Sequence, residues 1–213
     1  MKSIFSATWL ICGIALAAAV LAAPDGRAGE FNQVLSIGDK APAWNDLPGT
    51  DDEKHSLDEL KGKSVVVVVF TCNSCPYAVD YEDRLVSFAK KYVTPDSGVA
   101  LVAINVNKVE ADLLPQMKAK AEEKGFTFPY LFDETQQIAK DFGAGNTPEF
   151  YVLDRDRKIV YMGAMDDDTD AEKAKVNYVE AAVAAALKGE KPAKAETIPI
   201  GCRIRFARER KKS

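Results

Sequence analysis

The chain has 213 residues, of which 47% are hydrophobic and 28% charged, and its formal net charge is −4. These proportions belong to an ordinary globular protein and exclude a disordered or fibrous chain, while the acidic balance argues against a general nucleic-acid surface. The length suits one domain with embellishments.

The first 28 residues do not read as part of the fold. Lys2 supplies a positive charge, Trp9 opens an apolar run that ends at Ala23, and Gly26-Arg27-Ala28 reads as a cleavage site. The run suits a secretory leader and is short for a membrane span of roughly 20 residues. The competing reading is an uncleaved anchor. Cys12 lies inside the run as a small hydrophobe. An exported chain, periplasmic or extracellular, then keeps Cys72, Cys75 and Cys202 where disulfides persist. An odd number leaves at least one thiol free or conditionally paired.

Residues 29–50, rich in Gly, Pro and Asp, form an irregular entry segment. Ser56 and Glu59 make a capping box over one short helical turn that Gly62 ends. Residues 65–70 (VVVVVF) are apolar on both faces, which marks a strand covered on both sides. Over 77–92, Ala78, Tyr81, Leu85, Phe88 and Tyr92 recur at helical spacing, and Pro76 fits the first turn. Residues 99–105 (VALVAIN) are a second buried strand. Asp112 caps a helix that runs to Lys124 and stops at Gly125. Residues 128–132 are extended, and Thr135 caps a helix to about Phe142. Residues 149–153 and 158–162 pair around an Asp-Arg-Asp-Arg turn. Thr169 and Glu172 form a second capping box, opening a last helix to about Leu187. Residues 191–197 read as a linker, followed by IPIGCRIRF and a basic end. Alternating strands and helices, closed by adjacent strands, predict an α/β fold with a mixed central sheet and helices on both faces. The chain divides into a leader (1–28), a domain (29–190) and a C-terminal extension (191–213).

FTCNSCPYA, residues 70–78, sets two cysteines between the valine strand and a helix. That spacing places Cys72 at the helix N-terminus, where unpaired amides and the macrodipole favour an anion. A thiolate there is the nucleophile, and Cys75, one turn on, is within reach of a mixed disulfide at Cys72. Three plainer readings compete. A structural disulfide would close a tiny loop and restrict the unfolded chain little. A structural zinc site needs about four ligands, yet His55 is the one histidine and lies outside ligand spacing. Copper carriage lacks a histidine after the cysteines.

VVVVVFTCNSCPYA, the later GNTPEFYVLD and the strand-strand-helix that follows it resemble the thioredoxin superfamily. The closer likeness is to its exported redoxin group, the TlpA-like thiol-disulfide oxidoreductases and AhpC/TSA-related proteins, over about residues 36–187. The entry SIGDKAPAWNDLPGTD is similar to that group's opening, and Leu101 to Gly143 matches its strand-helix insertion. The resemblance implies a thioredoxin-like fold in which Cys72 attacks, Cys75 resolves, and Pro148 is a cis-proline facing the pair. Thr147 and Pro148 would then present backbone to an extended substrate. It implies no cofactor, and as partners protein or small-molecule disulfides and thiols with an electron donor. Membrane contact would be confined to an uncleaved leader. The departures are specific. Val66 stands where thioredoxins carry a buried Asp, and Ala78 where related exported reductases often carry Glu. The peroxiredoxin pattern P-x-x-x-[ST]-x-x-C is not met at Cys72, which lowers the alternative of a thiol peroxidase with Cys72 peroxidatic. A metal-binding or interaction module without turnover is the remaining alternative.

Cys202 lies in PIGCRIRF, where apolar and basic residues alternate as in an edge strand. It reads either as a spare thiol or as a third redox cysteine on a mobile tail, since chains with the CNxCPY motif tend to end in a similar Gly-Cys segment. The basic residues 203–212 read as a solvated end, with an acidic partner or membrane surface as the alternative. His55 reads as a surface residue, and Asp166, Asp167, Asp168 and Asp170 as a solvated turn without calcium-loop spacing. Trp44 is a candidate to pack beside the cysteines.

Overall fold

The structure, a computed structural model, describes residues 29–208. The leader assigned to 1–28 and the last five residues of the basic tail lie outside the described residues.

A five-stranded mixed sheet organises the domain. Its strands are β3 (Val65–Phe70), β4 (Val99–Asn105), β5 (Tyr130–Phe132), β7 (Glu149–Leu153) and β8 (Ile159–Gly163), in the order β5-β4-β3-β7-β8. Two short pairs flank it: β1 (Leu47–Pro48) with β2 (Lys54–His55), and β6 (Asn146–Thr147) with β9 (Cys202–Arg203). The helices are α1 (Pro76–Tyr92), α2 (Leu114–Lys124), α3 (Gln137–Phe142) and α4 (Tyr178–Leu187).

β3 runs parallel to β4 and antiparallel to β7, so its valine run is central. Alternation of side chains splits it between two cores. Val65, Val67 and Val69 join Tyr81, Leu85 and Phe88 of α1 and Val179 and Val183 of α4. Val66, Val68 and Phe70 face Ile138 and Phe142 of α3, together with Tyr151. Each buried valine contributes about 1.5–3 kcal/mol over an exposed one, which makes this strand the anchor from which the following loop is held. Trp44 belongs to the second core, with Leu57 and Val66, and not to the cysteine cluster. Among the described residues, no helix is long and apolar enough to cross a membrane.

Several local expectations need correction. The turn at Leu57–Leu60 forms, but the Ser56 hydroxyl accepts from the Asp46 amide instead of capping it. Asp112 does not cap α2, which begins at Leu114 after a short 3-10 turn (Glu110–Asp112). Its carboxylate is committed elsewhere. Thr135 does accept from the Gln137 amide ahead of α3, with Asp133 taking the Ile138 amide beside it. The Thr169–Glu172 box opens no helix: α4 starts at Tyr178, capped by the Asn177 side chain on the Glu180 amide. Local carboxylates explain this. Asp170 accepts the Glu172 amide and Asp167 those of Lys175 and Val176, while Arg84 takes the carbonyls of Asp168 and Thr169. Asp166 is likewise not solvated; it is buried against the Tyr81 hydroxyl (2.6 Å) and the Arg84 guanidinium (2.7 Å).

The segment read as a linker is stitched to the domain. Ala195 accepts from the Met162 amide, and Thr197 shares hydrogen bonds with Tyr161 and Ala164. The Glu196 carboxylate accepts the amides of Glu30, Phe31 and Asn32, so one side chain clasps both ends of the domain.

Candidate active site

Where β3 ends, the Thr71 amide still bonds the Ile104 carbonyl, and the chain turns through Cys72-Asn73-Ser74-Cys75 into α1. The helix begins at Pro76, so its N-cap is Cys75, with Cys72 three residues earlier in the loop. The expectation that Cys72 sits at the helix N-terminus is therefore corrected. Pro76 fixes the boundary because its ring suits the first helical position.

The structure brings Cys72, Cys75, Thr147, Pro148 and Cys202 together. The Thr147–Pro148 peptide is cis. Thr147 Oγ1 lies 3.4 Å from Cys72 Sγ, and the Thr147 carbonyl accepts from Cys75 Sγ at 3.0 Å. Ser74 Oγ is 3.9 Å from Cys72 Sγ. Cys72 and Cys75 are each only 3% exposed, and Cys202, half-buried, packs onto them and Ala78. All three are free thiols.

The two thiols shift one another in opposite directions. Cys75 is lowered from the ordinary 9.0 to about 4, chiefly by a hydrogen bond from Cys72, helped by Cys202 and by the Ala78 amide. Cys72 is pushed up by that same bond, by burial and by the nearby Asp112 charge. Burial raises the Cys202 thiol, with its bond to Cys75 adding to the effect. Because Cys75 ionises lower in the folded than in the unfolded chain, the unfolded chain binds the extra proton between about pH 4 and 9. The reduced protein is therefore expected to gain stability relative to Cys75→Ser as pH rises through that window, and to lose it as pH falls through about 4. Thiolate ultraviolet absorbance, with denaturant titrations at several pH values, checks this.

Two buried carboxylates support the site, and sequence reasoning assigned neither. Asp112 accepts the Ser74 amide (2.8 Å) and hydroxyl (2.6 Å), while the Asn73 side chain bonds the Ala111 carbonyl and the Tyr130 hydroxyl. The cysteine loop is thus pinned to the segment after β4, and a carboxylate stands near the pair although positions 66 and 78 hold Val and Ala. Asp112→Ala is expected to cost about 2 kcal/mol, since the Ser74 amide loses a charged acceptor. It should also lower the Cys72 thiol pKa, a change that loss of packing alone would not produce. Urea unfolding and the thiolate titration read the two effects. Glu149, directly after the cis-proline, accepts the amides of Gly145 and Asn146 and the Tyr151 hydroxyl, and burial raises its carboxyl. Its signal was visible, as a lone acid opening an apolar strand. Asp112 instead resembled an ordinary helix cap. His55 lies away from the cysteines, paired with Asp51 and Glu59. Among the described residues, no group of three or more His, Cys, Asp and Glu side chains is placed to hold a metal ion.

Known proteins resemble this chain in sequence and in fold. A crystal structure of an uncharacterized conserved protein from Geobacillus kaustophilus superposes with a TM-score of 0.77 at 36% identity, covering 84% of this chain and 96% of that one. A Mycobacterium tuberculosis protein named "Putative peroxiredoxin Rv2521" is 30% identical over 142 residues, 59% of this chain and 83% of its own. Thiol-disulfide oxidoreductase ResA of Geobacillus thermodenitrificans is 26% identical over 129 residues, 59% of this chain and 67% of its own. The sheet order and flanking helices are those of the thioredoxin-like fold. Residues 37–162 match the AhpC/TSA family, a span that takes in the paired cysteines, the loop that pins them and the cis-proline strand, and the chain belongs to that family.

Proposed function

We propose that the protein catalyses thiol–disulfide exchange through Cys72 and Cys75. One sulfur attacks a substrate disulfide, a mixed disulfide forms, and the second sulfur resolves it, leaving the pair oxidised and the substrate reduced. The observation that carries this reading is two free thiols packed together against Thr147, whose hydroxyl lies 3.4 Å from Cys72 Sγ and whose carbonyl lies 3.0 Å from Cys75 Sγ.

Cys72 attacks and Cys75 resolves. The Thr147 hydroxyl lies against Cys72 Sγ and donates to an anion there, whereas the Thr147 carbonyl at Cys75 Sγ accepts only from an S–H. The Cys75 thiol is lowered chiefly by Cys72, with Cys202 on β9 adding to it. Attack follows when the proton passes from Cys72 to Cys75. Thr147 and Pro148 form the platform on which an extended disulfide-bearing segment adds as a strand. Substrates are protein or small-molecule disulfides, met after export through the 1–28 leader, and no cofactor takes part.

A thiol peroxidase is the second reading, favoured by the Mycobacterium tuberculosis relative's name. The absence of the P-x-x-x-[ST]-x-x-C pattern at Cys72 works against it. Presenting the reduced protein separately with insulin and with hydrogen peroxide discriminates the two. Exchange predicts reduced insulin chains and slow peroxide loss. Rapid peroxide loss, a trapped sulfenic acid on Cys72 and intact insulin would establish the peroxidase. N-terminal sequencing of the exported protein, expected to begin at Gly29, tests the leader.

A further inference from the structure

The platform strand is already occupied. β9 pairs antiparallel with β6, setting Cys202 opposite Thr147 and Arg203 opposite Asn146. The Ile204 amide bonds the Gly145 carbonyl at 2.9 Å, and the Asn146 side chain donates to the Gly201 carbonyl at 3.0 Å. Gly201 lies so close that an added Cβ would collide with the Thr147 carbonyl. Beyond the pair, Asn107 and Gln136 hold the backbone of Arg205 and Ala207, and Ile204 is buried in the second core. Upstream, Ile198 and Ile200 are exposed between this seated strand and the stitched residues 195–197.

We propose that β9 is a tethered occupant of the substrate groove and that Cys202 is the third thiol of a relay, receiving the disulfide from the Cys72–Cys75 pair. This rests on the exchange reading above. An extended segment paired at Thr147 with a sulfur against the cysteine pair is the arrangement a disulfide substrate would adopt. After substrate reduction the pair is a Cys72–Cys75 disulfide. The Cys202 thiolate attacks Cys75 Sγ, a Cys75–Cys202 bond forms, and the Cys72–Cys75 bond breaks. Cys72 leaves as thiolate and takes up the proton Cys202 released. The two-electron oxidation stays in the protein, so the step needs no oxidant. An external dithiol then attacks Cys202 Sγ, the most exposed of the three, and its two electrons return the protein to three thiols. The tail thus carries the disulfide from a buried pair to the surface.

The test uses the full chain, reduced, then oxidised with one equivalent of diamide, quenched with N-ethylmaleimide and mapped by mass. The expected result is a Cys75–Cys202 disulfide beside Cys72–Cys75 in the native chain, and Cys75–Cys202 alone in Cys72→Ser. Gly201→Ala, which pushes the strand off Thr147 without removing a thiol, should lower Cys75–Cys202 relative to Cys72–Cys75 at least tenfold. A native chain holding only Cys72–Cys75, with Cys202 fully alkylated and no Cys75–Cys202 in Cys72→Ser, would overturn the relay while leaving exchange intact. Failure to form Cys72–Cys75 at all, together with inert insulin, would instead overturn the exchange reading.

Discussion

Cys72→Ser is expected to lower disulfide reduction by at least about a thousandfold, because a serine hydroxyl does not ionise near neutral pH and the remaining loop sulfur, Cys75, has no partner in the loop to resolve a mixed disulfide. Cys75→Ser should be equally inactive over many turnovers, but for a different reason. It retains the attacking sulfur and loses the resolving one, so a mixed disulfide with substrate should accumulate at Cys72 and appear as a covalent mass increase. Neither variant removes a packing group larger than a sulfur atom, and both are expected to fold. The contrast between them carries the assignment. An adduct that instead accumulated on Cys75 in Cys72→Ser would reverse the two roles. Robust turnover in both variants would remove the pair from the reaction.

The largest expected loss of stability lies on the opposite side of α1 from solvent. Arg84, 14% exposed, meets the Asp166 carboxylate, 3% exposed, and its guanidinium also holds the carbonyls of Asp168 and Thr169 while lying 4.1 Å from the Tyr81 ring centroid. Arg84→Ala strands a buried carboxylate with the Tyr81 hydroxyl as its remaining named partner. Breaking a buried pair in this way costs about 3–5 kcal/mol, or roughly 10 °C in melting temperature for a domain of this size. Adding Asp166→Asn should recover part of the loss, since it removes the stranded charge. Urea unfolding of the single and double variants measures both effects. A cost below about 1 kcal/mol would mean that the pair behaves like a surface ion pair.

The elements legible in the sequence were those whose cause is local. Val65–Phe70 and Val99–Asn105 have their expected bounds because continuous apolar, β-branched runs admit few other placements. α1 begins at Pro76 and buries Ala78, Tyr81, Leu85 and Phe88, the face its periodicity marked. α2 stops at Gly125, whose φ of 63° is left-handed. The failures share one cause. The Thr169–Glu172 box satisfied every local criterion for a helix start, but Asp167 and Asp170 cap their own turn and Arg84, distant in sequence, claims the carbonyls. Asp112 looked like a cap until its carboxylate was placed on Ser74, from the preceding loop. The thiol expected at the helix start was displaced by Pro76, which makes Cys75 the boundary residue. Cys72, Cys75, Thr147 and Pro148 were legible as candidates because the resemblance joins the C-x2-C-P segment to the later Thr-Pro, and the structure sets Thr147 against both sulfurs. Asn107 and Gln136 were not, because their partners at Arg205 and Ala207 are set by tertiary contact alone.

The Glu196 clasp makes the front and the back of the domain interdependent. Its carboxylate is the acceptor for three successive amides, and the last of them, Asn32, reaches on through its own side chain to Tyr151, whose hydroxyl bonds Glu149 beneath the cis-proline loop. A protease nick near residue 30 would therefore be felt far downstream. Loosening the opening segment frees the Glu196 side of the stretch that leads to Cys202, while the closing strand stays seated on Asn146, Asn107 and Gln136.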